Sequence, residues 1–544
     1  MVVCVLLVCA LLFLFDAHAL QLLRCTRARV IQQPLAVLDT LSARRGFPTL
    51  QTSLLRCRPA EADAHPPESA ILRESESSSI DTLAQLQNQT AFLVRAGLVG
   101  VCTALCVVIF KLSIQEFSIV LYEKLADILP KDPGFYWPQI LFPVLGSLTV
   151  SLLTLTYAGS TAKGIDDIAR SIDGSTTENT FKPLDQLARL GGGVATLGSG
   201  CSLGPEGPSV EIGASMSRIF GGNGCSLRQQ HHLFLAGTAA GVASGFNAPF
   251  TGIFFALECG NRFLKKNTVT LTEESVDGPR SDIAAIVIAA CVASLVVKIG
   301  LNEKNALSIT GNVFAMQSPL FELPFYLGLG LVSGSVATAF SFSRDYFRDV
   351  FASDNVPHVG ESTTLKQLVS PLPVFLRPLL GGLLCGIVGL RYPQTLFVGY
   401  QTLDSLIAGK INLPLSLLAQ LLTLKIFLSA FCSSCGLVGG VFAPSLFMGA
   451  IAGTIYHDVV LSAMQLVSAG LLGHVFGNDA FFSISSAPAY ATVGASSVLG
   501  ALFRAPLTSS ILFLELTENH DIVLPVLLSS GVAGFFAEIT SSKK

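Results

Sequence analysis

Charge is what this 544-residue chain lacks most. Asp, Glu, Lys and Arg make up 13% of it, about half of the roughly 25% usual in soluble domains. A chain so poor in solvating groups is neither disordered nor an ordinary cytosolic enzyme. Its net charge of −3 provides no basic field for polyanions, which excludes a nucleic-acid partner. Catalytic signatures are missing too. The eight His include the pair His231-His232 without an HExxH context. An intramembrane hydrolase needs a nucleophile–base pair or metal ligands, so it stands as a remote alternative. A cation antiporter would want paired intramembrane acids, which the chain does not show. The thirteen Cys form no framework. Cys4, Cys9, Cys25 and Cys57 lie near the start, and the rest are scattered through apolar segments where Cys behaves as a small hydrophobe. Cys432-Ser433-Ser434-Cys435 is a lone CxxC with no second pair. No metal site and no cofactor are expected.

Apolar residues fill that space, at 51% of the chain. Pro138 to Ala158, Leu323 to Phe342 and Ala480 to Phe503 carry no formal charge and are long enough to cross ~30 Å of hydrocarbon. Ile426 to Tyr456 is longer but broken by glycines, serines and Pro444. Phe92 to Ile109, Ile283 to Val297 and Ile522 to Ala537 are shorter. The pattern predicts an all-α polytopic membrane protein with discontinuous helices, a backbone tolerated at depth only where protein or a water-filled cavity surrounds it.

Residues 1–19 are a signal-like segment ending in Ala17-His18-Ala19; a first membrane anchor is the competing reading. Residues 20–58 carry Arg24, Arg27, Arg29, Arg44, Arg45, Arg56 and Arg58 against the single acid Asp39, a transit-like composition. Together they resemble the two-part plastid leader of algae with complex plastids. A plastid membrane, thylakoid or envelope, is therefore expected, with an endomembrane as the alternative. Residues 59–90 read as a polar linker.

An internal repeat organises the rest. Phe246-Asn247-Ala248-Pro249-Phe250-Thr251, leading to Glu258, recurs as Phe503-Arg504-Ala505-Pro506-Leu507-Thr508, leading to Glu515, and Gly237 matches Gly494 at the same offset of 257. Gly204-Pro205-Glu206-Gly207-Pro208-Ser209 with Gly213 matches Gly440-Val441-Phe442-Ala443-Pro444-Ser445 with Gly449 at an offset of 236. An insertion near Leu466 to Phe482 accounts for the difference. Two related halves follow, 91–264 and 282–541, joined by a linker over 265–281. Duplicated transporters hold their ligand between the repeats, on the ends of broken helices. Pro is tolerated where a helix begins, so Gly204, Pro208, Gly440 and Pro444 mark helix starts within apolar sequence. Each start exposes free N–H groups and a partial positive charge of about +0.5. Two such ends converging make a site for a small anion without Lys or Arg, which at depth would cost several kcal/mol. Glu206 lies within reach of these N–H groups and can occupy the site as a tethered competitor, displaced by protonation or by an arriving anion. Simple helix capping is a weaker reading, because its counterpart Phe442 cannot cap.

These motifs resemble those of the CLC family of chloride channels and chloride/proton exchangers, over about residues 92 to 540. Gly204-Pro205-Glu206-Gly207-Pro208 is similar to the family's G-[KR]-E-G-P, which makes Glu206 the gating glutamate beside the Gly207 amide. Gly440-Val441-Phe442-Ala443-Pro444 resembles G-x-F-x-P, whose Val441 and Phe442 amides would hold the central chloride. Gly159-Ser160 resembles the start of G-S-G-x-P, with the Ser160 hydroxyl on the same ion. The resemblance implies a CLC-type inverted-repeat fold, a voltage-gated chloride channel in the family's sense, and a homodimer in the bilayer with one pore in each subunit. The chain ends soon after its last apolar segment, so no CBS domains are expected.

The departures bear on mechanism. Thr161-Ala162-Lys163 replaces Gly-x-Pro after Ser160, and Pro205 replaces the family's basic residue. His520 aligns with a Tyr whose hydroxyl faces the anion; its imidazole either donates to the ion or points away. Exchangers generally carry a second acid after Glu258, where this chain has Cys259, a poor proton relay. A gated chloride channel is therefore expected, with a chloride/proton antiporter as the alternative. Glu258 and Glu515 recur through the repeat itself, which favours a structural role for both.

Overall fold

The computed structural model describes residues 68–126, 137–156, 164–172, 183–222, 225–260, 280–301, 319–352, 369, 371–467 and 484–541. Its helices are α1 (Glu68–Ile119), α2 (Pro138–Thr156), α3 (Ile165–Ile172), α4 (Pro183–Gly198), α5 (Glu206–Phe220), α6 (Leu227–Phe246), α7 (Pro249–Glu258) and α8 (Arg280–Leu301). There follow α9 (Pro319–Phe351), α10 (Arg377–Arg391), α11 (Tyr400–Ile407), α12 (Leu415–Ser434), α13 (Phe442–Val467), α14 (Ala487–Phe503), α15 (Pro506–Thr517) and α16 (Val523–Ser541). Eight helical stretches among the described residues are long and apolar enough to cross a membrane, while α7, α14 and α15 are apolar but shorter. The signal-like and transit-like segments, the linker's first residues, the insertion and most of the inter-repeat linker lie outside the described residues.

Three boundaries differ from the sequence reading. The apolar run from Phe92 belongs to a span of 40 residues, Leu86–Leu125, because Lys111, Glu116, Glu123 and Lys124 interrupt the composition but not the helix. The run from Ile426 to Tyr456 is two helices, α12 and α13, parted by a non-helical stretch through Gly440. The polar linker, set at 59–90, is helical from Glu68 onward. Its Leu, Ala, Glu and Gln are strong helix formers, and polarity alone did not reveal that.

Packing repeats with the sequence. Helix α5 lies on α6, and α13 lies on α14. A Cβ on Gly213 would stand 2.0 Å from the Gly237 carbonyl oxygen, and one on Gly449 would stand 2.3 Å from the Gly494 carbonyl oxygen. These are the residues matched by the two sequence offsets, so the same close helix crossing is built twice. Any side chain there would force the crossing open.

The caps are exchanged between the repeated motifs. Glu258, at the end of α7, accepts from the amide of Thr508 (2.8 Å), its hydroxyl (2.7 Å) and the Leu507 amide (3.2 Å) at the start of α15. Glu515, near the end of α15, accepts from the Thr251 amide (2.7 Å), its hydroxyl and the Phe250 amide (2.9 Å) at the start of α7. Each carboxylate thus satisfies orphan N–H groups at the positive end of the other helix.

Candidate anion site

The two glycine-proline motifs meet at the middle of the fold. Gly204 and Gly440 form an antiparallel backbone bridge, the Gly204 amide donating to Gly440 at 2.8 Å and the Gly440 amide donating to Gly204 at 2.7 Å. Contact is tight on both sides of the bridge. A Cβ on Gly207 would fall 2.7 Å from the Gly440 Cα, and one on Gly204 would fall 3.1 Å from the Ala443 Cβ and 3.4 Å from the Pro444 Cδ. Pro208 and Pro444 therefore belong to one site.

Both helices begin two residues before those prolines, α5 at Glu206 and α13 at Phe442. The first helical backbone bonds are Ser209 N–H to the Pro205 carbonyl and Ser445 N–H to the Val441 carbonyl, each 3.0 Å. Proline removes the donors at 205, 208 and 444. The amides of Glu206, Gly207, Val441, Phe442 and Ala443 are left as orphan donors of two helix starts.

Glu206 lies between these starts with 3% of its surface exposed. The amides of Glu206 itself and of Ala443 face its carboxylate, although Oε2 has no partner at full hydrogen-bonding geometry among the described residues. The carboxylate stands close to both helix starts, near its own backbone and near Ala443, a residue the sequence reading did not single out. A buried carboxyl group beside two partial positive ends is an arrangement that such ends favour.

Phe442 packs its ring among Phe503, Phe246 and Phe255, at centroid distances of 4.3, 5.2 and 6.3 Å. Phe246 and Phe503 are the matched phenylalanines of the repeat, so the aromatic wall next to the site draws on both motifs. Cys259 is buried, and its thiol reaches the Phe503 carbonyl at 3.8 Å.

A formal cation also stands near Glu206. Lys111 on α1 acts electrostatically on Glu206. Its Nζ donates to the carbonyls of Gly245 (2.6 Å) and Ser244 (3.3 Å) at the end of α6, which ties it to the protein rather than to a ligand. His520 makes no hydrogen bond or ion pair with Glu206 or the glycine-proline motifs among the described residues. It is exposed on a 3-10 turn, His520–Ile522, packed on α15 and α16. Ser160 lies outside the described residues. Cys432 faces Cys385 of α10, with 3.2 Å between the sulfurs, rather than its CxxC partner.

Sequence patterns also missed a residue in direct contact with Glu206. The Tyr400 hydroxyl, at the start of α11, donates to Glu206 Oε1. No motif marks Tyr400, and the signal that leads to it is indirect. Lys425, the one charge in the apolar helix α12, is fully buried, and its Nζ donates to the carbonyls of Thr395 (3.0 Å) and Phe397 (2.9 Å) in the loop before Tyr400.

Fold and site together define a multi-pass helical membrane protein whose broken helices present their N-termini to one another in the interior. The family model for voltage gated chloride channels matches residues 146–538. Chloride channel protein CLC-e of Arabidopsis thaliana is 34% identical over 474 residues, 84% of this chain and 61% of that protein. Chloride channel protein CLC-f of the same plant is 30% identical, over 84% of this chain and 54% of that protein. The chain thus spans little more than half the length of these two relatives. The H(+)/Cl(−) exchange transporter ClcA of Salmonella arizonae is 27% identical over 83% of this chain and 86% of that protein. A slow cyanobacterial Cl−/H+ antiporter has the same fold, with a TM-score of 0.63 and 23% identity over 83% of this chain and 95% of its own. The chain belongs to the CLC family.

Proposed function

We propose that this protein carries chloride across a membrane through the site between α5 and α13, with Glu206 as the gate. One observation carries the reading: a buried carboxylate lodged against the amides at two converging helix starts. Main-chain dipoles attract an anion without binding it too tightly for release. While Glu206 occupies them the path is closed. Protonation removes its charge, and an incoming anion competes for the same donors; either event frees the site. The amides of Gly207, Val441 and Phe442, with the Ser160 hydroxyl, are the further ligands that the family resemblance implies.

Passive conduction is the favoured mode, supported by Cys259, a buried thiol where exchangers generally carry an acid. Chloride/proton exchange is the second reading, favoured by the names of the bacterial relative and of the cyanobacterial structure. The purified protein in liposomes, with chloride efflux and internal pH recorded together, separates the two. Chloride flux without coupled proton movement supports the channel, stoichiometric proton movement supports the exchanger, and absence of anion flux removes the function altogether. A homodimer with one pore in each subunit and a plastid membrane are carried forward on the resemblance and on the composition of the first 58 residues, and are tested by the mass of the detergent-solubilised protein and by organelle import.

A further inference from the structure

We infer that Tyr400 is a ligand of the transported anion, its hydroxyl passing from Glu206 to the ion when the gate leaves. The inference rests on the anion reading of this site and extends it to a residue that no motif marks.

Three observations support it. First, among the described residues the phenol is the one side-chain donor hydrogen-bonded to the Glu206 carboxylate. A phenol donates one proton, and the oxygen that receives it now stands where the ion must arrive. When the carboxylate is displaced, that donor remains beside the vacated amides and is left unsatisfied in a buried site, at a cost, unless the anion takes it. Chloride, an acceptor only, fits that demand. Water, a donor as well, gains less from a ring of donors.

Second, Tyr400 is held in place by the fold. Gly399, immediately before it, has φ +87°, a left-handed conformation open to glycine. A Cβ there would strike the Phe447 ring 2.7 Å away. The Lys425 ammonium lies 5.0 Å from the centroid of that ring while its protons fix the Thr395 and Phe397 carbonyls. The Phe397 amide in turn donates to the Gly200 carbonyl at 2.9 Å, joining this loop to the segment that leads into Gly204. One buried lysine thus sets the register of the loop carrying Tyr400 against the motif carrying Glu206. Lys425 is a positioning residue; it does not touch the gate.

Third, among the described residues the charges near Glu206 do not offer the ion an equivalent donor. Lys111 directs its protons at the Ser244 and Gly245 carbonyls. Asp404, one turn beyond Tyr400 on α11, is an acceptor. The Tyr400 hydroxyl is left as the side-chain donor already pointed at the site.

The test removes the gate so that ligand binding is read by itself. Chloride is titrated calorimetrically into the purified full chain carrying Glu206→Ala, with and without Tyr400→Phe. The expected result is chloride affinity lowered about ten-fold or more by Tyr400→Phe, as for loss of a hydrogen bond to a charged acceptor, at an unchanged melting temperature. Lys425→Met is expected to lower affinity as well and Lys425→Arg to restore most of it. Equal affinity with and without the Tyr400 hydroxyl overturns the inference and leaves the gate intact. No chloride binding to Glu206→Ala overturns the anion site itself. Should Tyr400→Phe fail to fold, the Glu206→Ala protein is titrated with chloride while near-UV tyrosine absorbance is recorded. A difference signal saturating at the calorimetric affinity is expected, and a flat trace overturns the inference.

Discussion

Gly204 and Gly440 exchange both of their backbone hydrogen bonds, at 2.8 and 2.7 Å, and so lock together the two helix starts that sequence repetition pairs. Residues 236 apart in the chain thereby become the two sides of one site. Whatever binds there depends on that bridge, because neither helix start alone surrounds a ligand.

The bridge leaves no room for a side chain. A Cβ on Gly440 would meet the Gly207 nitrogen at 2.5 Å. Gly440→Ala is expected to force the motifs apart, lowering stability by about 1–3 kcal/mol and abolishing chloride binding. Thermal unfolding and calorimetry check both. Unchanged values for the two would show that the close approach is dispensable.

Glu258 and Glu515 act as exchanged caps. Glu258→Ala and Glu515→Ala are each expected to lower stability by about 1–2 kcal/mol, the upper range for a lost cap, without altering proton movement. Denaturation curves measure the first effect and pH recording during chloride efflux the second. A change in proton movement with normal stability would instead place these acids on a proton path.

Cys259 takes no part in transport on this account. Cys259→Ser is expected to leave chloride flux within about two-fold, because the substitution keeps the size and donor character of the thiol. A large loss of flux in a normally folded protein would contradict that.

His520, exposed on its 3-10 turn, is expected to be silent. His520→Ala should leave chloride affinity and the pH profile of flux as they are. A shift in that profile would return the imidazole to the pathway.

What the sequence revealed followed from local backbone chemistry. Pro208 and Pro444 pointed to helix starts within two residues of where they fall, because proline is best tolerated in the first turn of a helix. The matched glycines marked the repeat, and the structure sets them at the doubled crossing of α5 with α6 and α13 with α14, where a close approach leaves no room for a side chain. Long-range contacts were not legible in this way. Tyr400 meets Glu206 across 194 residues, with nothing in its own neighbourhood to mark it. His520 was placed by alignment with a motif, and the structure sets it exposed on a 3-10 turn. Lys425 was a signal that passed unread: a lone charge in an apolar helix must find partners, and its partners lead to the loop that bears Tyr400.

The pH dependence of chloride efflux from liposomes, compared between the parent protein and Glu206→Gln, tests the gate most directly. With Glu206 present, flux is expected to rise as pH falls, because protonation removes the charge that the two helix starts hold in place. In the Glu206→Gln protein, whose gate carries no charge at any pH, flux is expected to be high and flat across the same range. A Glu206→Gln protein that keeps the parent's rate and pH dependence would contradict the account.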